Sequence, residues 1–335
     1  MSNPEETVHC PDFKDMKTGL VVFGIIQIIF GGFCVLIIPF IIVGMLASIL
    51  SSDSSAAPMS VRMMIPGVLF YVILAVWFIW MGIGSIKARR WARALILVTS
   101  WLWLICGAAG FVFVLLFMPN IYDQIGRNEQ IPQAVVTIIE FAMIGFMTVF
   151  YVIIPFVFIL FYGNKNVNAT CKFRDPQVRW TDKCPLPVLA VSLMFVFWAL
   201  SMLSMGFYSC TIPFFGFIIS GATGAAVALV ATFLFAYVAW GTYKLKINAW
   251  WCAVLLIIAW TLSMVITFSR VSMLDFYEKM GLPEQQLEII KESCMPCRST
   301  MVLFWGILFL GFLGYLLYTR RYFVAPPCHS ERSPA

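Results

Sequence analysis

Charge is what this sequence has least of. Asp, Glu, Lys and Arg make up 11 % of its 335 residues, against 61 % apolar residues. Soluble domains carry roughly 25 % charged residues, so a water-soluble globule of this length could not cover its surface. The same figures exclude collagen-like, disordered and small disulfide-stapled chains. Only two histidines occur. No Gly-rich phosphate loop, His-Glu-x-x-His or Gly-x-Ser-x-Gly is present, which removes the usual signatures of nucleotide binding, zinc proteolysis and serine hydrolysis. What remains is an all-α integral membrane protein.

The placement of the few charges gives the topology. None lies between Lys17 and Asp53, Arg62 and Lys87, Arg93 and Asp123, Glu140 and Lys165, Lys183 and Lys244, Lys246 and Arg270, or Arg298 and Arg320. A helix needs roughly 20 apolar residues to cross a ~30 Å hydrocarbon core. Six gaps fit one crossing each. The gap from Lys183 to Lys244 holds 60 residues and must contain two, with a hinge expected at Ser220 to Gly224. The expected spans are 19–45, 65–86, 94–117, 141–162, 187–215, 224–243, 249–269 and 300–318. Unpaired backbone groups cannot remain in lipid, so these runs must be helical. A transmembrane barrel would show short alternating segments instead.

Eight crossings put both termini on one side, and 16 of the 22 Lys and Arg residues fall there. Excess Lys and Arg mark the cytoplasmic face, so both termini are expected to be cytoplasmic, in a cell membrane. The net charge of +6 then follows from topology, and no nucleic-acid partner is expected. The first apolar run is far longer than the core of a signal peptide and reads as a retained helix. Lys87, Arg89, Arg90, Trp91, Arg93, Lys244 and Lys246 form the expected lipid-headgroup interface. Trp180, Trp250 and Trp251 beside basic residues read as anchors at the same level, or as part of an anionic-lipid site.

The two halves resemble each other. Cys10-Pro11 falls on Cys184-Pro185, Val22-Phe23 on Val196-Phe197, and Ile38-Pro39-Phe40 on Ile212-Pro213-Phe214. Gly84, Lys87, Arg89, Ala92 and Trp103 fall on Gly241, Lys244, Lys246, Ala249 and Trp260. Tyr122 to Gly126 falls on Tyr277 to Gly281. The matches are collinear, with the Ser-rich stretch from Ser51 to Met59 as a loop of the first half alone. The expected organisation is a cytoplasmic tail (1–17), a first four-helix repeat (18–165), a cytoplasmic linker (166–183), a second four-helix repeat (184–321) and a second tail (322–335). An even number of spans per unit makes the repeats parallel, one of the arrangements seen in transporters, although duplication also enlarges a bundle without making a path.

Few residues offer chemistry. Pro39 and Pro213 break or kink helices at matched places, with Gln27 and Ser201 as matched polar residues. Together they are the candidate inter-repeat cleft, helix packing being the plainer reading. On the outer side, Cys294-Met295-Pro296-Cys297 opens the last span. Over these four residues it resembles the active-site segment of thioredoxin-like proteins, which implies redox chemistry at Cys294 and Cys297. A local disulfide or a pair of idle thiols is the plainer reading. Pro283 opens an expected outer helix that aligns Leu287, Ile290 and Cys294. His9, Cys10, Cys171, Cys184, Cys328 and His329 share the inner face, but their spacing matches no zinc pattern, so no metal or cofactor is expected. Cys34, Cys106, Cys210 and Cys252 read as small apolar packers. No ionisable residue lies at the centre of a span, which disfavours a proton-driven pump. Three readings follow: a non-enzymatic scaffold, partner or sensor that binds another membrane protein or its own copy in the bilayer; a carrier or channel for a neutral or apolar solute along the repeat interface; and a thiol-redox protein.

Overall fold

The computed structural model describes residues 13–51, 57–128, 133–282, 287–288, 291 and 298–324. The elements run α1 (Lys17–Ser51), α2 (Ala57–Ile86), α3 (Arg90–Asn128), α4 (Gln133–Thr148), a π-helical turn (Val149–Ile153), α5 (Ile154–Gly163) and α6 (Lys165–Arg174). After a 3₁₀ turn (Trp180–Lys183) come α7 (Leu186–Ser204), a second 3₁₀ turn (Met205–Tyr208), β1 (Ile212–Phe214), β2 (Phe217–Ile219), α8 (Gly221–Tyr243), α9 (Ile247–Arg270), α10 (Met273–Met280), α11 (Arg298–Thr319) and α12 (Arg321–Val324). Among the described residues, eight helices are long and apolar enough to cross a membrane, with α4, the π turn and α5 making one of them. The chain is a multi-pass membrane protein. The π turn ends two residues before Pro155, whose missing N–H and bulky ring disturb the helical ladder there.

In lipid no hydrophobic force draws helices together, so close packing must do it. The α1–α2 pair shows how. A methyl group placed on Gly24 would lie 2.7 Å from Ile86 Cγ1 and 2.8 Å from Gly82 O, and one on Gly82 would lie 2.7 Å from Gly24 O. Gly31 similarly faces Ile79 Cγ1 at 2.6 Å and Ala75 O at 3.1 Å. The two backbones therefore touch in antiparallel register along small residues seven apart. Gly32, next to this seam, has open space where a side chain would stand.

One turn geometry occurs twice, 157 residues apart. After α2, Ala88 N–H donates to Ser85 O at 2.8 Å and Arg89 N–H to Gly84 O at 2.9 Å. After α8, Leu245 N–H donates to Thr242 O at 2.9 Å and Lys246 N–H to Gly241 O at 2.9 Å. Ala88 and Leu245 both adopt left-handed backbone, with φ of 50° and 55°. These are Schellman caps carried by non-glycine residues. Gly84 and Gly241 lie against the β-carbons of Ala92 and Ala249, so neither admits a side chain. The next helices close on the last span of each half in matched fashion: Arg93 Nε donates to Tyr162 O at 3.1 Å, and Trp250 Nε1 to Leu316 O at 2.9 Å.

Two apolar cores result. One gathers Leu20, Met81, Leu95, Phe158 and Tyr162, and the other Phe195, Phe235, Val238, Trp250 and Leu316. Between them α3 packs against α7, Leu193 of α7 reaches the first core, and Phe113 lies 5.4 Å from Phe304 of α11.

The fifth span corrects the expected 187–215 helix. Its α-helix ends at Ser204 and its helical path at Tyr208, and Pro213 lies in β1 of a hairpin instead of a kinked helix. Pro39, its sequence counterpart, stands inside the unbroken α1. The expected hinge at 220–224 is already the first turn of α8. The excess length of the 60-residue stretch is taken up by the hairpin. Its two-residue loop, Phe215 and Gly216, has φ of 41° and 96°, the sign pattern of a type I′ turn. Side chains of α9 satisfy its backbone. Ser263 Oγ accepts from Phe215 N at 3.0 Å and donates to Pro213 O at 3.1 Å, while Thr267 Oγ1 accepts from Gly216 N at 2.9 Å. Irregular backbone near lipid is tolerated where protein covers it in this way. The expected first-half loop at 51–59 is shortened as well, since Ser51 ends α1 and Ala57 begins α2.

Gly82→Ala should destabilise the protein by about 1–3 kcal/mol, because the added methyl meets backbone. Gly32→Ala should be neutral or stabilising by up to ~1 kcal/mol through helix propensity. Thermal melts of the detergent-solubilised variants measure the contrast.

Candidate functional site

The richest polar assembly lies at the end of the bundle that carries the α2–α3 turn and the 164–185 linker. Asn164 leaves the helical path and caps α6 by accepting from Asn166 N at 2.8 Å, so α6 lies across the helix ends. Asp175 follows α6 and is 2 % exposed. Its carboxylate accepts from Arg179 Nη2 at 2.8 Å and Nε at 3.1 Å, from Arg90 N at 3.3 Å and from Arg89 Nη1 at 3.4 Å. The Arg179 hydrogen bond, aided by the Arg90 backbone N–H and the surrounding guanidinium charge, holds the Asp175 carboxyl below the usual carboxylate range. The same pairing raises the Arg179 guanidinium. Asp182 accepts from Arg179 N at 2.9 Å and pairs with Arg90 Nε at 3.2 Å.

Further contacts spread outward from this hub. Arg93 donates Nη1 to Asn168 Oδ1 at 3.0 Å besides its bond to Tyr162 O. Met16 N donates to Thr170 Oγ1 at 3.1 Å, and Arg174 Nη2 to Asp15 Oδ2 at 2.6 Å. That bond holds the Asp15 carboxyl below its ordinary value. Tyr243 of the second half donates its hydroxyl to Trp180 O at 3.0 Å. Just inside the span, Ser85 Oγ donates to Leu20 O at 2.8 Å and lies 2.6 Å from the Tyr162 hydroxyl. The linker thus fastens the N-terminal approach to α1, the α2–α3 turn, the end of α5 and the start of the second half.

A cavity of about 290 Å³ opens inside this assembly, between Arg90, Arg93, Asn168, Lys172, Thr181 and Asp182. Cys171 and Cys184 also line it. Burial pushes their thiols up to about 11 and about 12, so both are protonated near neutral pH and poor nucleophiles. Among the described residues no three His, Cys, Asp or Glu side chains come together as metal ligands. A second cavity, of about 530 Å³, lies at the opposite end between the hairpin and α10, lined by Gly216, Phe217, Ile218, Val271, Asp275, Glu278 and Lys279.

The sequence-predicted residues separate into groups. Lys87, Lys244 and Lys246 are exposed, and Lys246 Nζ stands 4.2 Å from the Trp240 ring centroid. Arg89, Arg90 and Arg93 turn toward protein partners, and Trp91 stacks on Trp80 at 4.3 Å. Trp250 is a correction: it is 1 % exposed and packs in the second core instead of facing outward as an anchor. Its missing partner in the first half is Arg93, which fills the same place with a charge. Of the candidate cleft, Gln27 is 3 % exposed and its Oε1 has no hydrogen-bond partner among the described residues. Ser201 is half-buried and donates to Phe197 O at 2.9 Å within its own helix. Pro39 is exposed on α1, and Pro213 is held in the hairpin. Cys294 and Cys297 lie outside the described residues, as do Pro283, Ile290, His9, Cys10, Cys328 and His329. Cys34, Cys106, Cys210 and Cys252 are free thiols, with Cys106 exposed on the flank of α3.

Sequence reasoning missed Asp175, Asp182, Asn168 and Thr181. The available signal was Asp175 and Asp182 as the only acids in an otherwise basic linker. No family model, curated protein or solved structure matches the chain.

Asp175→Asn should cost about 2 kcal/mol, since a buried carboxylate with charged donors loses its charge. Because the native state keeps Asp175 ionised to lower pH than the unfolded chain does, its stabilisation is complete above about pH 4 and is lost as pH falls further. Thermal midpoints from pH 7 down to pH 3 should converge for wild type and Asp175→Asn.

Proposed function

We propose that this protein is a non-enzymatic membrane scaffold made of two parallel four-helix repeats, with both termini and the linker in the cytoplasm of a cell. The repeat reading draws support from the twin Schellman turns and from the matched Arg93–Tyr162 and Trp250–Leu316 bonds. The cytoplasmic reading rests on the excess of Lys and Arg at the linker end. The observation that carries the functional reading is the Asp175 hub. It spends buried charge on fixing a basic surface in place and, among the described residues, leaves no activated nucleophile or base beside it. A rigid basic platform suits lipid headgroups and a membrane-protein partner or second copy.

The alternative, a carrier for a neutral solute along the repeat interface, is favoured by one feature. Gln27 places an unsatisfied acceptor deep in the membrane. A solute donor hydrogen bond there would be worth more than the same bond in water.

Two measurements test these readings. Photo-crosslinkers at Lys87 and Lys244 in intact cells should yield a discrete protein adduct that a crosslinker at lipid-facing Phe233 does not. Loss of that adduct in Asp175→Asn supports the platform, and no adduct at either lysine overturns it. Gln27→Met should raise stability by about 1 kcal/mol if the acceptor is simply orphaned. A lowered melting temperature would instead favour an occupant at Gln27.

A further inference from the structure

We propose that the linker-end cavity is a binding site for a phosphate-bearing anion, held by Arg90, Arg93 and Lys172 with Asn168 and Thr181 as neutral partners. The inference deepens the platform reading and depends on it only for the side of the membrane from which the ligand comes.

Three observations converge. The first is charge: three cationic side chains and one carboxylate, Asp182, line the cavity. Asp182 is already engaged by Arg90 Nε and Arg179 N, which leaves an excess of two positive charges around a partly enclosed space. A phosphomonoester carries close to that charge with opposite sign and offers three acceptor oxygens.

The second is unspent donor capacity. Arg93 commits Nε and Nη1 to Tyr162 O and Asn168 Oδ1. Its Nη2 makes no hydrogen bond among the described residues. Arg90 commits its backbone N–H and Nε, with neither Nη engaged among the described residues. The two bonds of Arg93 fix its guanidinium plane, and the ion pair with Asp182 tethers the Arg90 guanidinium beside it; planar donors held in this way suit phosphate best. Lys172 is exposed at the rim and makes no ion pair among the described residues.

The third is an orphan. Thr181 is 2 % exposed, lines the cavity, and its hydroxyl has no partner among the described residues. Burying a hydroxyl unpaired is costly, and a ligand oxygen would relieve that cost. The cavity at the other end lacks these features. Lys279 there is spent on Ile218 O, Asp275 caps its own helix, and among the described residues no buried polar side-chain atom in its wall is left without a partner.

At about 290 Å³ the cavity exceeds a bare phosphate, so it can take the ester group as well. Arg90 opens α3 at the level where headgroups lie. The ligand is therefore either a lipid with a terminal phosphate or a soluble phosphate ester, and the two sources can be told apart.

The test uses the purified full-length chain in nanodiscs, with thermal midpoint as readout. Three additions are compared: inorganic phosphate with phosphatidylcholine discs, phosphatidic acid in the discs, and phosphatidylglycerol in the discs. A rise with phosphatidic acid alone identifies the lipid source, and a rise with inorganic phosphate the soluble one. In either case Lys172→Gln should weaken the response about tenfold, as expected for loss of one charge-assisted contact, while leaving the ligand-free midpoint unchanged. Thr181→Val should raise the ligand-free midpoint and still weaken binding, an opposition that a purely structural threonine would not produce. No rise with phosphate or phosphatidic acid overturns the proposal. So does an equal rise with phosphatidylglycerol, or a rise that neither variant alters. None of these outcomes bears on the crosslinking result, so failure here and failure of the platform reading are separable.

Discussion

Lipid offers no hydrogen bonds, and this bundle is organised by where its polar groups find partners instead. The ends of the fourth and eighth spans show the requirement most directly. A helix leaves its last carbonyls unpaired, and near the membrane interior water is scarce. Tyr162 O is taken by Arg93 and Leu316 O by Trp250, from the helix that follows each left-handed turn. One structural demand is met twice, by a charged donor in one half and a neutral one in the other. The charged version needs further partners, and the linker supplies them. Asn168 takes a second Arg93 donor, and Asp175 and Asp182 anchor Arg89 and Arg90. The asymmetry between the two cores therefore leads directly to the polar cavity.

The hairpin end solves a related problem with neutral groups. Twelve residues, 209–220, leave the helical path inside a stretch that carries no charge. Ser263 and Thr267 on α9 replace the missing helical partners. Lys279 and Thr211 tie α10 to the same hairpin, donating to Ile218 O and Lys279 O. The linker end relies on ion pairs and the hairpin end on hydroxyls, a division that follows from where the charged residues fall in the chain.

Much of this was legible in the sequence, because helix-spanning apolar runs are a strong physical signal. All eight crossings found among the described residues fall where the charge-free gaps put them. Only the end of the fifth differs, for a specific reason: charge spacing fixes the ends of a stretch but says nothing about how its interior is divided. Pro213, Gly216 and Gly221 marked the irregular segment, but the match to Pro39 in α1 drew attention to a kink. Trp250 misled in a similar way. A tryptophan beside lysines fits an interface anchor, and only its indole bond to Leu316 O shows that it belongs inside. The hub was hidden because its members, Arg89, Asp175 and Asp182, are far apart along the chain and match no motif.

The fastenings between the halves also restrict how the molecule can move. Arg90 grips Asp182 and Tyr243 grips Trp180 at the linker end, while Arg62 of α2 donates to Gly206 O at the hairpin end. A seesaw of the helices before the linker against those after it would open one end as it shut the other. Ties at both ends oppose each half of that cycle, so any large swing must first release an ion pair whose acid sits in the wall of the linker-end cavity.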